Sequence, residues 1–423
     1  MKAENSPANA RYLAFGFLHF FCSAVGQTFF VSLFVAGVTA RLGWADGTFA
    51  QLYSGVTLLA AGLLPAVGTQ LDRRSVRAVS TATALALAAG LVTLALTQNT
   101  LLFAAALLVV RLGGQGVLPL IGSTSVGRFF TERRGRALSL AVIGVSVAEV
   151  TVPPAATYAI GAFGHPAVWL AAAGLLLVGF VPAVWGLVRR GDSFQSADAV
   201  AAAQAEAAGR LTPAAVAVDA TPAAADVAPA VQRSWTRGEA LRDSRFWAMV
   251  PAYVLTPVAM TGIVFNQSLL ADARGFTAAW MAVGLSVFGA ARAAMTLGGG
   301  ALADRLGPAR LLRYAYAPSL LGLAILAAVE SRWAVPGFFA LAGLTAGTES
   351  VLWPALWAGR YGPQFLGSIK SAARVIAVLS TAAAPVVFSV GFGASPRLTL
   401  LTVVGYGLAA VALLWTAGGR DTT

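Results

Sequence analysis

Charge is scarce in this chain. Only 11% of its 423 residues are Asp, Glu, Lys or Arg, against roughly 25% in soluble domains. Lysine occurs twice, at Lys2 and Lys370, and neither sits in a Gly-x-x-x-x-Gly-Lys-[Ser/Thr] phosphate-binding loop, which excludes an ATP-driven pump. The two histidines, His19 and His165, stand far apart, and there is no His-Glu-x-x-His to hold a catalytic metal. Cys22 is the single cysteine, so an intramolecular disulfide and a multi-cysteine metal site are both excluded. No serine or cysteine sits in a setting diagnostic of nucleophilic catalysis. The expectation is a protein that is not an enzyme and needs no cofactor or metal.

Apolar length takes the place of charge. The chain is 58% hydrophobic with a mean hydropathy of +0.75, too high for a soluble core under a polar shell. A bilayer-spanning helix needs about 20 mostly apolar residues. Twelve segments meet that length, at 12–38, 48–69, 78–97, 101–125, 137–160, 166–188, 246–270, 278–302, 310–329, 333–357, 368–391 and 397–417. Without water, backbone groups must pair internally, so the spans are expected as helices. The first is too long for a secretory signal peptide and lacks a small-residue cleavage site. The fold class predicted is an all-α integral membrane protein of 12 transmembrane helices, with the lipid bilayer as its solvent.

A net charge of +12 would suggest nucleic acid in a soluble protein. Here orientation accounts for it. Of the 29 basic residues only Arg41, Arg274, Arg332 and Arg397 fall on one side. Arg111, Arg292 and Arg374 fall inside spans, and the rest crowd the other side. Positive charge stays cytoplasmic, so both termini are expected inside a cell inner membrane crossed many times, with no nucleic-acid partner.

The stretch Gly68-Thr69-Gln70-Leu71-Asp72-Arg73-Arg74 returns as Gly300-Ala301-Leu302-Ala303-Asp304-Arg305 after 232 residues. The same displacement carries Gly127-Arg128 onto Gly359-Arg360, Gly135 onto Gly367 and Pro153 onto Pro385. One offset shared without a gap argues for two homologous, pseudo-symmetric six-helix halves. The division expected is 1–190 for the first half, 191–243 for an alanine-rich cytoplasmic linker of low complexity, and 244–423 for the second half.

A Gly-x-x-x-Asp-Arg motif at the end of an apolar helix, present twice, resembles the signature of the major facilitator superfamily of secondary transporters. The family carries it between helices 2 and 3 and echoes it between helices 8 and 9; Ser75 stands where the family usually has glycine. The resemblance covers all but the termini and the linker. It implies alternating access, a small-molecule substrate and a monomer. It also implies a gating role for Gly68, Asp72, Arg73, Gly300, Asp304 and Arg305, with Asp72 approaching the helix start near Gly367 and Asp304 that near Gly135. A carboxylate is favoured at the positive end of a helix dipole, so these contacts would clamp the cytoplasmic side until the halves rock apart.

Ionisable groups at membrane depth cost about 2.5–3.5 kcal/mol on insertion scales, and so face a cavity or one another. The spans hold Arg111, Arg292 and Arg374 against Glu149 and Glu349. Arg111 and Glu149, on consecutive helices, are the expected ion pair. One arginine is left over, and a guanidinium fork suits a carboxylate. Expected substrate contacts are therefore Arg292, Arg374 and Arg111, with Gln115, Gln27 and Asn266 as polar neighbours. Glu149, Glu349 and His19 are the candidates for proton coupling. The stretches Arg128-Phe129-Phe130-Thr131-Glu132-Arg133-Arg134-Gly135-Arg136-Ala137 and Tyr361-Gly362-Pro363-Gln364-Phe365-Leu366-Gly367-Ser368-Ile369-Lys370-Ser371 resemble the monocarboxylate and oxalate–formate transporter branch. That branch places cations on helices 8 and 11, where Arg292 and Arg374 stand. Phe288 occupies the position of its usual acidic partner, and helix 1 lacks its lysine. The function expected is transport of a small organic anion, a mono- or dicarboxylate, by proton coupling or exchange. The alternatives are a proton-driven multidrug or lipophilic-compound exporter of the same fold and, more remotely, a non-transporting receptor or scaffold.

Overall fold

A computed structural model describes residues 7–45, 47–68, 74–129, 134–188, 235–361 and 366–418. The described residues form helices and turns without a strand. Ten of these helices are long and apolar enough to cross a membrane. One of the ten, Ala137–Leu187, runs 51 residues. As a single helix it would be about 77 Å long, far beyond a hydrocarbon core of about 30 Å. It is interrupted at Gly164, whose φ of 80° is not helical, just before Pro166. The pieces on either side correspond to the fifth and sixth expected spans. The second expected span, at Thr48–Leu64, is the shorter apolar helix.

The N-terminal set comprises α1 (Pro7–Cys22), α2 (Thr28–Val31), α3 (Val35–Leu42), α4 (Thr48–Gly68), α5 (Val76–Leu96), α6 (Thr100–Val110), α7 (Leu118–Phe129), α8 (Arg134–Leu175) and α9 (Val181–Leu187). The C-terminal set comprises α10 (Arg237–Arg242), α11 (Ser244–Phe265), α12 (Gln267–Arg274), α13 (Ala278–Leu306), α14 (Pro308–Ala315), α15 (Ala317–Ala328), α16 (Ala334–Tyr361), α17 (Leu366–Ala394) and α18 (Pro396–Gly418). Most of the expected linker lies outside the described residues. Its last part is described: α10 opens with a capping box between Thr236 and Glu239. Trp235 N–H bonds the Tyr361 carbonyl at 2.9 Å, fixing this segment to the end of α16.

The 232-residue repeat is visible in the helix caps. α3 ends on Gly43 at φ 63° and α12 on Gly275 at φ 68°, the left-handed conformation that glycine adopts without a Cβ penalty. Beyond each glycine the chain closes the same way: Trp44 N–H reaches the Thr39 carbonyl, and Phe276 N–H the Ala271 carbonyl. Arg41 donates to the Leu94 and Ala95 carbonyls at the end of α5. Arg274 donates to the corresponding Leu326 and Ala327 carbonyls at the end of α15. A cation on the last carbonyls of a helix satisfies orphan acceptors and complements the dipole.

These caps mark the end of the bundle opposite the Asp-Arg motifs, here termed the distal end. There the two sets of helices touch. The Phe265 ring lies 4.4 Å from Tyr53 and 5.7 Å from Phe49. Gln267 Nε2 donates to Ser32 Oγ at 3.0 Å. At the other end, Asp72 and Arg73 lie outside the described residues, and Gly68 is the last residue of α4. Gly300, Asp304 and Arg305 fall in the final turns of α13. The second copy of the motif is thus helical and does not lie in a loop, contrary to the expectation. The turn follows it at Gly307, φ 80°, with Pro308 starting α14.

Candidate functional site

Between the two sets of helices lies a cavity of about 960 Å³. The wall from the N-terminal set is polar, carrying Gln27, Thr28, Gln115, Ser123 and Glu149. Two breaks in helical regularity shape it. α1 gives way to a short 3-10 turn at Ser23–Gly26, and Gln27 is extended (φ −79°, ψ 155°), so its side chain stands at a helix interruption. Gln115 sits on a π-helical turn, Arg111–Val117; such turns recur at functional sites because they expose backbone and re-aim side chains. Interrupted helices at mid-depth are where carriers place substrate sites.

The wall from the C-terminal set supplies Tyr253, Thr256, Phe288, Arg292, Glu349 and Arg374. An ion pair joins the two walls. Arg292 on α13 donates through Nη1 to Glu149 Oε1 on α8 at 2.6 Å. Glu149 is largely buried and Arg292 keeps 23% side-chain exposure towards the cavity. Glycine makes the approach possible. A Cβ on Gly289 would lie 2.8 Å from Glu149 Cβ and 2.9 Å from the Ser146 carbonyl oxygen. One turn towards the distal end, Ser286 Oγ donates to the Val150 carbonyl at 2.7 Å.

The expected pair of Arg111 with Glu149 does not form. Arg111 is buried and turned the other way, where Nη1 donates to the Gly26 carbonyl at 2.6 Å and Nε to Thr57 Oγ1 at 3.3 Å. Its guanidinium stacks 4.4 Å from the Tyr53 ring centroid. The reason is a backbone-to-backbone crossing: a Cβ on Gly114 would lie 2.6 Å from Gly26 Cα and N. That crossing brings the interrupted carbonyl of Gly26 to Arg111, so the arginine that replaces its lost hydrogen bond is a packing element. Arg111 does not line the cavity.

Two further candidates stand elsewhere. His19 is fully buried, with Nδ1 at 2.8 Å from the Phe15 carbonyl and Nε2 at 2.8 Å from Ser80 Oγ. The carbonyl requires a proton on Nδ1, so in the neutral ring Nε2 accepts from Ser80 and both nitrogens are engaged. Asn266 Nδ2 donates to the Gly262 and Pro385 carbonyls. Neither lines the cavity. Gln27, Gln115, Glu149, Arg292, Glu349 and Arg374 are brought together there. Arg374 is exposed. The Tyr253 hydroxyl lies close enough to both Arg374 and Glu349 to interact with each.

Sequence reading missed Tyr253, Thr256 and Tyr316. Trp353 Nε1 donates to the Tyr316 oxygen at 3.1 Å. An indole N–H is a donor only, so the phenol proton is left for Glu349, against which Tyr316 stands. A tyrosine inside a spanning segment has to find a polar partner, and that was the available signal.

The model of the Major Facilitator Superfamily matches residues 16–385. The chain belongs to this superfamily. It is a multi-pass membrane transporter whose substrate is a small molecule. Members with solved structures share its fold. A bacterial homolog to the human lysosomal transporter Spinster, inward-facing and unoccupied, superposes with a TM-score of 0.70 at 12% identity, covering 98% of each chain. The nucleoside transporter NupG gives 0.69 at 13% identity, covering 98% of this chain and 100% of its own. The human organic anion transporter MFSD10 (TETRAN) gives 0.62 at 18% identity over 97% and 100%. A search of curated protein sequences finds no significant match.

Proposed function

We propose that this transporter moves a small organic anion, a mono- or dicarboxylate, across the cell inner membrane by alternating access. It does so as a monomer of 12 spanning helices, with residues 191–243 linking two six-helix halves, 1–190 and 244–423, on the cytoplasmic side. Arg374 and Arg292 hold the anion, Gln27 and Gln115 orient it, and Glu149 couples a proton to it. The observation that carries this reading is the Arg292–Glu149 pair at 2.6 Å inside the cavity. A substrate carboxylate that takes Arg292 leaves Glu149 buried without its partner. An unpaired buried charge is far more costly than a neutral acid, so Glu149 takes up a proton as the anion binds. The anion and the proton then travel together, and the seam between the helix sets loosens at the same moment.

Uptake of radiolabelled carboxylates into proteoliposomes, with and without an inward proton gradient, tests this. Gradient-driven accumulation that disappears in Glu149→Gln, together with lost affinity in Arg292→Ala, supports the proposal. Undiminished accumulation in both variants overturns it. The aromatic part of the wall, Phe29, Tyr253, Phe288, Trp353 and Trp357, favours the second reading, a proton-driven exporter of lipophilic compounds. Efflux of a lipophilic cation in the same vesicles, with no carboxylate flux, would select that reading.

A further inference from the structure

We infer that the carboxylate carried by this site also bears a hydrogen-bond donor, a hydroxyl or an amine, which is received by Glu349 and Thr256. The inference rests on the carboxylate reading and adds a second subsite to it. Glu349 on α16 is buried, and its Oε1 has no hydrogen-bond partner among the described residues. Thr256 on α11 is buried beside it, its hydroxyl facing the Glu349 carboxyl without a well-formed hydrogen bond to it or to any other described residue. Both residues line the cavity. Buried polar atoms are almost always bonded, and an exception at a binding site marks the place of a missing ligand group.

The two orphan oxygens are of one kind. With its carboxyl ionised, Glu349 accepts at Oε1, and a threonine oxygen accepts while turning its own proton elsewhere. Tyr316 engages the Glu349 carboxyl from the other side, held by Trp353. This contact holds the carboxyl at the wall of the cavity, which Glu349 lines. The Tyr253 hydroxyl interacts both with Arg374, the cationic end of the site, and with Glu349. A carboxylate on Arg374 with a donor a few atoms away therefore fits across Tyr253 and meets Glu349 and Thr256. A carboxylate without a donor leaves both oxygens without a ligand partner.

The test is calorimetric titration of the purified transporter in lipid nanodiscs with two matched series: lactate, propanoate and alanine, and malate, succinate and aspartate. The members of each series differ only in carrying a hydroxyl, a hydrogen or an amine beside the carboxylate. At least about tenfold tighter binding of a substituted member is expected, since sites built around a ligand donor reject its deoxy analogue strongly. Whether the hydroxy or the amino member leads identifies the donor. Glu349→Leu is expected to bring the preference close to one, and the nearly isosteric Thr256→Val to reduce it several-fold, with melting temperature confirming folding. Binding of propanoate as tight as that of lactate and alanine, with succinate as tight as malate and aspartate, overturns the donor subsite, as does a preference that survives both substitutions. Binding of none of the six acids by folded protein overturns the carboxylate reading itself, and the inference with it.

Discussion

Replacing Glu149 with glutamine should open the distal end of the transporter. The substitution keeps the side-chain shape but removes the charge that Arg292 binds at 2.6 Å across the two sets of helices. Breaking a fully buried ion pair costs about 3–5 kcal/mol. Arg292 retains 23% side-chain exposure, so it recovers some solvation from the cavity, and a neutral amide still accepts one hydrogen bond. A net loss of about 1.5–3 kcal/mol to the closed arrangement is therefore reasonable. At 1.36 kcal/mol per tenfold, this shifts the ratio of distal-open to distal-closed molecules by roughly 10–100-fold. The reporter is Val264→Cys in a Cys22→Ser background. Val264 is 3% exposed, lines the cavity and precedes Phe265, whose ring meets Tyr53 and Phe49 at the distal end. An impermeant maleimide added on the distal side of oriented vesicles reads how often the gate opens. A labelling rate at least tenfold above that of the parent is expected. A rate within twofold would refute the assignment of the ion pair as a closing contact.

Gly289→Ala places a methyl within 3.0 Å of Glu149, Ser146 and Val150, so the same reporter should show faster labelling although no charge has changed. Arg111→Met strips the Gly26 carbonyl of its donor and should lower stability by about 2–4 kcal/mol, read as a drop in melting temperature. Substrate affinity of the folded variant should hold, because Arg111 does not line the cavity. Arg41→Ala and Arg274→Ala each uncover the last carbonyls of a partner helix, and each should cost about 1–2 kcal/mol. Similar losses in thermal unfolding are expected for the two because the contacts repeat. Arg374→Ala should raise the KM for carboxylate uptake at least tenfold and leave the maleimide labelling rate unchanged, since Arg374 takes no part in the distal contacts.

The helical architecture, its long apolar helices and the repeated caps were legible because they are written in runs of residues: apolar length, glycine at a left-handed cap, and arginine one or two residues earlier. Gly43 follows Arg41 by two positions and Gly275 follows Arg274 by one, and the pattern was there to be read. The pairing of the deep charges was not. Counting residues from the motif end at about 1.5 Å each puts Glu149, Arg292 and Arg111 at roughly 18, 15 and 21 Å. Depth therefore does not tell one arginine from the other. What distinguishes them is rotation about the helix axis, and a close glycine contact between two helices sets that rotation: Gly26 against Gly114 turns Arg111 away, and Gly289 against Glu149 turns Arg292 in. Glycines occur throughout these spans, and the sequence does not mark which of them meet. The Asp-Arg motif was placed between helices by its resemblance to the family signature, but α13 stays helical until Gly307 provides a positive φ.

The placement of the charges bears on how many protons accompany a substrate. Taken from sequence, three arginines against two glutamates left one positive charge for the cargo. In the structure the surplus charge is Arg111, which is fixed to the Gly26 carbonyl and Thr57 outside the cavity. The cavity itself holds two arginines and two glutamates, so it has no standing excess to attract an anion. A monocarboxylate bound only to Arg374 leaves the Arg292–Glu149 pair intact, and nothing compels proton uptake. A carboxylate that reaches Arg292 has to displace Glu149, and the cost of an unpaired buried carboxylate then compels it. On the proposed carboxylate reading, proton coupling is thus a matter of reach. A dicarboxylate long enough to engage both arginines should bind with uptake of one proton, and a short monocarboxylate with fewer. Measured as proton release or uptake in unbuffered titrations, equal stoichiometry for the two would break the link between Arg292 and the proton.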